Sequence, residues 1–153
     1  MSNYNLRHTK DGPSEYSKIC HDLKKCPLCD LKSKYVVLER SEVVLTTNLY
    51  PYIDGHLMIV PKRHIEKFSE LSRAEWEQSF DLFKIGLRGL EKELGLRDVW
   101  LLYREGERSA KTVGHLHFHL VPYTKELIDW HYQEILLPPE TLARRLRTYL
   151  AKD

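Results

Sequence analysis

The stretch Gly114-His-Leu-His-Phe-His-Leu-Val121 holds three of the chain's eight histidines at alternate positions. In an extended strand alternate side chains share a face. His115, His117 and His119 then line one side, and Leu116, Phe118 and Leu120 the other. Imidazole changes charge near neutral pH and serves as nucleophile, proton carrier and metal ligand. Successive same-face residues stand roughly 6.5–7 Å apart along a strand, so the outer two are about 13 Å apart. That is too far for one ion unless the strand bends, so the three must divide their labour. The plain alternative is a strand with one polar face on which histidines happen to fall. A single histidine would fit it; strict alternation of three argues against it. The second feature with chemistry is Cys26-Pro-Leu-Cys29, whose spacing suits zinc. Two cysteines supply half of a closed site, and the alternative is a pair of reduced thiols near a turn. No βαβ pattern surrounds them to suggest a redox pair.

The elements around these residues come from a chain of 153 residues, the size of one domain. Residues 1–25 are expected to be an N-terminal extension, and 26–153 a single domain. Apolar residues make up 42% and charged residues 30%, which excludes a disordered chain and a membrane chain. A net charge of +2 gives no global case for nucleic-acid binding. No run of about 18 apolar residues is present to span a bilayer. The first residues lack the apolar core of a secretory signal, so a cytoplasmic location with reduced thiols is expected. Three cysteines, an odd number, argue against a disulfide framework.

Two runs rich in β-branched residues, Tyr35–Leu38 and Glu42–Thr47, read as strands. Asn48–Gly55 reads as a loop, and His56–Val60 as a short strand stopped by Pro61. Ser72–Leu94 is the clearest helix, with Ser72 and Glu75 as a capping box and Gly95 as its stop. Trp76, Phe80, Phe83, Leu87, Leu90 and Leu94 recur at spacings of four and three, an apolar stripe. Gly86 and Gly89 weaken this helix or allow close packing. Val99–Tyr103 and His115–Val121 read as strands, with the polar loop Arg104–Gly114 between them. A last helix runs from Pro138-Pro139 to Leu150, with Leu142, Leu146, Tyr149 and Leu150 on its apolar side. Strands and helices in this order predict an α+β fold with a mainly antiparallel sheet, one long helix and a C-terminal helix.

Residues 26–123 resemble the histidine triad family of nucleotide hydrolases and transferases. The resemblance rests on Asn48-Leu-Tyr-Pro-Tyr-Ile-Asp-Gly-His56, Leu57-Met-Ile-Val-Pro-Lys-Arg-His64 and the triad strand, in that order. It implies a fold of one antiparallel sheet with two helices, and a homodimer. It also implies that His117 is the nucleophile, attacking an α-phosphorus to form a nucleotidyl-histidine. His119 then contacts the α-phosphate or the bridging atom, Asn48 the ribose hydroxyls, and Thr112 a phosphate. Loop polar residues that face water are the alternative for Asn48 and Thr112. Some bacterial members hold structural zinc on two cysteines, a histidine after the Pro-Lys segment and the first triad histidine. That set corresponds to Cys26, Cys29, His64 and His115. His56 is expected to be a buried structural histidine, and His8, His21 and His131 surface residues.

The chain departs from the family before the triad, where Arg104 stands in place of Asn or Gln. Arg104 and Lys111 would add positive charge beside the phosphates, or else belong to a solvated loop. The implied substrate is a purine nucleotide derivative, either a dinucleoside polyphosphate or a nucleoside phosphoramidate. The segment Glu134–Leu146 is similar to the tail of dinucleoside polyphosphate hydrolases and phosphorylases. A phosphorylase is therefore one alternative. A nucleotide-binding signalling module with incidental catalysis is another. No membrane partner and no specific nucleic-acid binding are expected.

Overall fold

The computed structural model describes residues 19–20, 22–48, 50–109, 111–124 and 137–150. Five strands form one sheet: β1 (Val36–Glu39), β2 (Val43–Thr47), β3 (Leu57–Pro61), β4 (Val99–Tyr103) and β5 (Phe118–Pro122). Their order is β1-β2-β3-β5-β4, and every neighbouring pair is antiparallel. The longer helices among the described residues are α1 (Arg73–Leu94) and α2 (Pro139–Leu150). The architecture is α+β, as the order of elements predicts.

β3 and β5 are buried along their whole length, because something covers each face of the sheet. On one face Val43, Leu45, Leu57, Ile59, Leu116, Phe118 and Leu120 meet Leu82, Phe83 and Leu90 of α1. Gly86 is what lets α1 approach so closely, since a Cβ there would lie 2.7 Å from Leu120 Cδ1. Gly89 has open space instead. On the opposite face Met58 and Val60 pack with Leu28 and Val113, and Cys20, Cys26 and Leu31 lie against them.

The start of α1 is fixed by charge as well as by its cap. Ser72 Oγ accepts from Glu75 N–H at 3.2 Å, and Glu75 Oε2 accepts from Ser72 N–H at 2.7 Å. The same carboxylate, almost fully buried, receives Arg63 Nε at 3.1 Å and Nη2 at 2.9 Å. Burial would raise the Glu75 pKa, but the hydrogen bonds from Arg63 and Ser72 outweigh it and hold the pKa low. The turn after β3 is thereby tied to the helix. At the other end Gly95 takes φ 69°, and its N–H caps Glu91 O at 3.0 Å.

The apolar residues of α1 divide between two surroundings: Leu82, Phe83, Gly86 and Leu90 are buried against the sheet, while Trp76, Phe80, Leu87 and Leu94 are exposed. Two expectations need correction. The triad strand begins at Phe118, not His115. Leu116 N–H goes to Ile65 O at 2.6 Å, in the loop after β3, so this part of the segment bonds to a loop. The third strand runs from Leu57 and includes Pro61, paired with Val43. Among the described residues no helix is long and apolar enough to cross a membrane. No residue of α2 is buried. His8, His21 and His131 lie outside the described residues.

Candidate functional site

Although regular pairing starts at Phe118, the alternation of the segment persists. Leu116, Phe118 and Leu120 enter the core under α1, and His115, His117 and His119 are all buried. The rings of His117 and His119 stand 4.6 Å apart at 75°. His117 Nδ1 lies 2.7 Å from the carbonyl oxygen of His115. A carbonyl can only accept, so Nδ1 carries the proton and the Nε2 lone pair is the basic one. Burial pulls the His117 pKa down to about 4, against the raising effect of that carbonyl and aided by Arg104, His115 and Lys111. The ring is therefore neutral near pH 7, the state in which imidazole is a nucleophile.

His119 has company that the sequence reading did not assign. Its Nδ1 is 2.9 Å from His56 Nε2, and its Nε2 is 3.1 Å from Arg104 Nη2. Arg104 also donates to Tyr52 Oη at 2.8 Å. His56 is buried as expected, but it belongs to the triad's surroundings. Met58 pairs with His119 across β3 and β5. His56, two residues earlier, falls on the same side. Asn48 Nδ2 lies 3.3 Å from both ring nitrogens of His56, and Asn48 Oδ1 accepts from Tyr50 N–H at 3.0 Å. Burial comes first, and neighbouring positive or imidazole groups second, in lowering the pKa of both His56 and His119.

Asn48, Arg104, His117 and His119 are thus brought together with His56 and Tyr52. Lys111 is placed differently: it donates to the carbonyls of Gly114 at 3.1 Å and Glu66 at 3.4 Å. Thr112 is exposed on the same loop.

A second group of side chains sits beside the triad. One ligand atom from each of Cys26, Cys29, His64 and His115 lies within 4.8 Å of the others, so the cluster could hold a metal. Cys26 Sγ is 3.5 Å, and Cys29 Sγ 3.4 Å, from His115 Nδ1; Cys29 Sγ is 3.1 Å from His64 Nδ1. Tetrahedral zinc with ordinary Zn–S and Zn–N bonds has S···N edges of about 3.5 Å. His115 Nε2 donates to Pro61 O at 2.8 Å, which fixes the ring and leaves Nδ1 facing the cluster. His64 turns Nε2 toward Glu66 Oε1, 3.7 Å away. Burial and the neighbouring Cys26 push the Cys29 thiol up to about 11; a bound divalent cation reverses that penalty by stabilising thiolate.

A sheet covered on one side by a capped helix, with an alternating histidine segment at its centre, defines a class of protein. The chain belongs to the HIT domain family, which matches residues 31–126. It is 32% identical over 75 residues to a nitrilase and fragile histidine triad fusion protein of Caenorhabditis elegans, covering 49% of this chain and 17% of that protein. It is 31% identical over 87 residues to an uncharacterized HIT-like protein of Methanocaldococcus jannaschii, covering 57% of this chain and 67% of the other. A bis(5'-adenosyl)-triphosphatase of Dictyostelium discoideum is 28% identical over 112 residues, covering 65% and 73%. The crystal structure of a HIT family member from Bacillus subtilis superposes with a TM-score of 0.70 at 25% identity, over 84% of this chain and 96% of that one.

The buried histidines make stability depend on pH. His56, His117 and His119 have folded pKa values below their unfolded value of about 6.5. The unfolded chain therefore binds protons first as pH falls. The stability these neutral rings contribute is complete above about pH 6.5 and is lost on descent toward pH 4, at roughly 1 kcal/mol per ring per pH unit. Urea midpoints measured from pH 7.5 to 5 should fall steadily. His115 is lowered by burial as well, so the slope should shrink by about a quarter in His117→Gln, one ring of four being removed. A flat profile would contradict the buried neutral state.

Proposed function

We propose that the protein is a nucleotide hydrolase or nucleotidyl transferase acting at the α-phosphate of a purine nucleotide derivative, through a covalent intermediate on His117. The observation that carries this reading is the hydrogen bond from His117 Nδ1–H to the His115 carbonyl, 2.7 Å long. It leaves the Nε2 lone pair on a neutral, oriented ring. In the first step that lone pair forms an N–P bond as the bond from phosphorus to the leaving group breaks. In the second, water or another acceptor forms a bond to phosphorus, and the N–P bond returns its electron pair to the ring. His119, beside His117, contacts the α-phosphate or the bridging atom. Arg104 holds phosphate oxygens, and Asn48 the ribose. Lys111 adds field through space, and Thr112 meets a phosphate from the exposed loop. Relatives named as nucleoside-polyphosphate hydrolases support this assignment.

Cys26, Cys29, His64 and His115 are proposed to hold one structural zinc ion. Four protein donors close the shell and leave no position for substrate. When bound, the ion supplies cohesion between the Cys26–Cys29 knuckle and the triad segment; the chemistry at phosphorus belongs to His117 and His119. The protein is further proposed to be a cytoplasmic homodimer. Trp76, Phe80, Leu87 and Leu94 of α1 are exposed, as is Leu101 on β4, which is an edge strand of the sheet. Exposed apolar residues on a helix and an unpaired edge are both suited to a second copy.

His117→Ala should fold and bind nucleotide but lose nearly all turnover. Mass spectrometry of acid-quenched wild type should find a nucleotidyl adduct on His117; near-normal turnover in the variant would end this mechanism. Metal analysis should find about one zinc per chain. The double change Cys26→Ser and Cys29→Ser should lose zinc and melt lower, because metal binding and folding are coupled. Zinc-free wild type that melts normally would refute that site. Light scattering at micromolar concentration should give twice the chain mass, and Phe80→Glu should shift it toward monomer. A wild-type monomer would remove the dimer.

A further inference from the structure

Arg104 stands immediately after β4, whose last residue, Tyr103, pairs with Phe118. The sheet therefore sets its backbone, and its side chain turns to the triad. Nη2 donates to Tyr52 Oη at 2.8 Å and to His119 Nε2 at 3.1 Å. A guanidinium only donates, and each Nη nitrogen has two hydrogens. These two contacts use both. The guanidinium carbon also lies 5.9 Å from the centroid of the Tyr52 ring.

Tyr52 meets Arg104 from a separate support, the loop between β2 and β3. That loop is closed by hydrogen bonds from Asn48 N–H to His56 O at 3.0 Å and from His56 N–H to Ile53 O at 3.2 Å. Tyr52 N–H lies 3.2 Å from His56 Nδ1, and the Tyr52 and His56 rings are 4.7 Å apart. The Tyr52 ring is 6.0 Å from that of His119. A phenol on one fixed element thus holds a guanidinium on another, across the histidine between them. An arginine side chain loses much rotamer freedom when it closes on an anion. One already held by an acceptor loses less, which favours the bound state.

We propose that Tyr52 is the positioning residue for Arg104, and that the pair makes the site selective for nucleotides with a second phosphate beyond the one attacked. This deepens the proposed function and rests on it. His119 there stands at the α-phosphate or the bridging atom, so a cation bonded to it lies within reach of the next phosphate. A phosphate oxygen is a stronger acceptor for a guanidinium than a neutral imidazole nitrogen. It takes over the Nη2 hydrogen that His119 accepts in this structure. Tyr52 Oη keeps the other hydrogen, so the guanidinium stays in place while one bond is exchanged. A dinucleoside polyphosphate brings anionic oxygens on its β-phosphate to that position. A nucleoside phosphoramidate has an amine there and no anion beyond its α-phosphate.

The ratio of kcat/KM for diadenosine tetraphosphate to that for adenosine 5'-phosphoramidate reads the selectivity. Arg104→Gln should lower this ratio about ten- to a hundredfold, the worth of a charge-assisted hydrogen bond. Tyr52→Phe, which removes only Oη, should lower it about three- to tenfold. Tyr52→Phe added to Arg104→Gln should lower it no further, because the phenol acts through the guanidinium. Losses that multiply in the double variant, or a Tyr52→Phe loss shared equally by both substrates, overturn the positioning role. An unchanged ratio in Arg104→Gln overturns the selectivity. Calorimetry with inorganic tripolyphosphate and orthophosphate asks the same question without turnover. Wild type should bind tripolyphosphate more tightly, and the preference should shrink in Tyr52→Phe and more so in Arg104→Gln. Wild type that cleaves neither nucleotide but keeps this Tyr52-dependent preference removes the proposed function and leaves the clamp standing. Wild type that forms the His117 adduct, with ratio and preference indifferent to both changes, removes the clamp and leaves the covalent mechanism.

Discussion

His115 is held at three of its own atoms, and the rest of the site depends on that anchoring. Its Nδ1 faces two cysteine sulfurs, its Nε2 donates to Pro61 O, and its carbonyl accepts from His117 Nδ1. The first contact belongs to the knuckle, the second to the end of β3, and the third to the next triad histidine. Movement of this residue would disturb all three. The segment around it lies ahead of the regular ladder of β5, so strand pairing does not hold it. Leu116 N–H, bound to Ile65 O, and the side chain of His115 do that in its place. A short irregular stretch is held in place by specific bonds where a sheet would ordinarily do so.

Electrostatics then separates two groups of histidines. Around His117, His119 and His56 every near charge is positive or absent, and burial adds to the same effect. These rings stay neutral and act through lone pairs and N–H groups. Around His64 and His115 the neighbours are thiols and, at the rim, the Glu66 carboxylate. Such a set favours a cation held between the residues. The alternation brings both groups into one segment, and what joins each from elsewhere in the fold makes their surroundings different: His56 and Arg104 beside His119, and Cys26, Cys29 and His64 beside His115.

The sheet makes this division possible. One face is wholly apolar and closed by α1, whose capping Glu75 is itself tied to Arg63 in the turn after β3. That same turn leads to His64 and Ile65. The helix cap, the metal-type cluster and the bond that keeps Leu116 in line therefore share a short piece of chain. The larger apolar cluster lies under α1, and the opposite face combines a smaller one with buried polar groups, each of which finds a partner: among the described residues no buried side-chain nitrogen or oxygen lacks one.

Local pattern carried much of this protein. The alternation of residues 115–120 assigned three histidines to one side and three apolar residues to the core. The capping box at Ser72 and Glu75 and the glycine at 95 marked both ends of α1, because caps are short-range devices. The pairing of Cys26 and Cys29 with His64 and His115 came from resemblance, and the structure places the four together. What sequence could not supply was register and coverage. His56 is 63 residues from His119, and only the pairing of Met58 with His119 makes them neighbours. Arg104 could be read as a solvated loop residue until β4 was laid beside β5. The stripe from Trp76 to Leu94 looked like one face because helical spacing records which residues are apolar, not which side a sheet covers. Periodicity is set within a few residues, whereas contact across the fold is set by which strands pair and in what register, and that belongs to the tertiary structure alone.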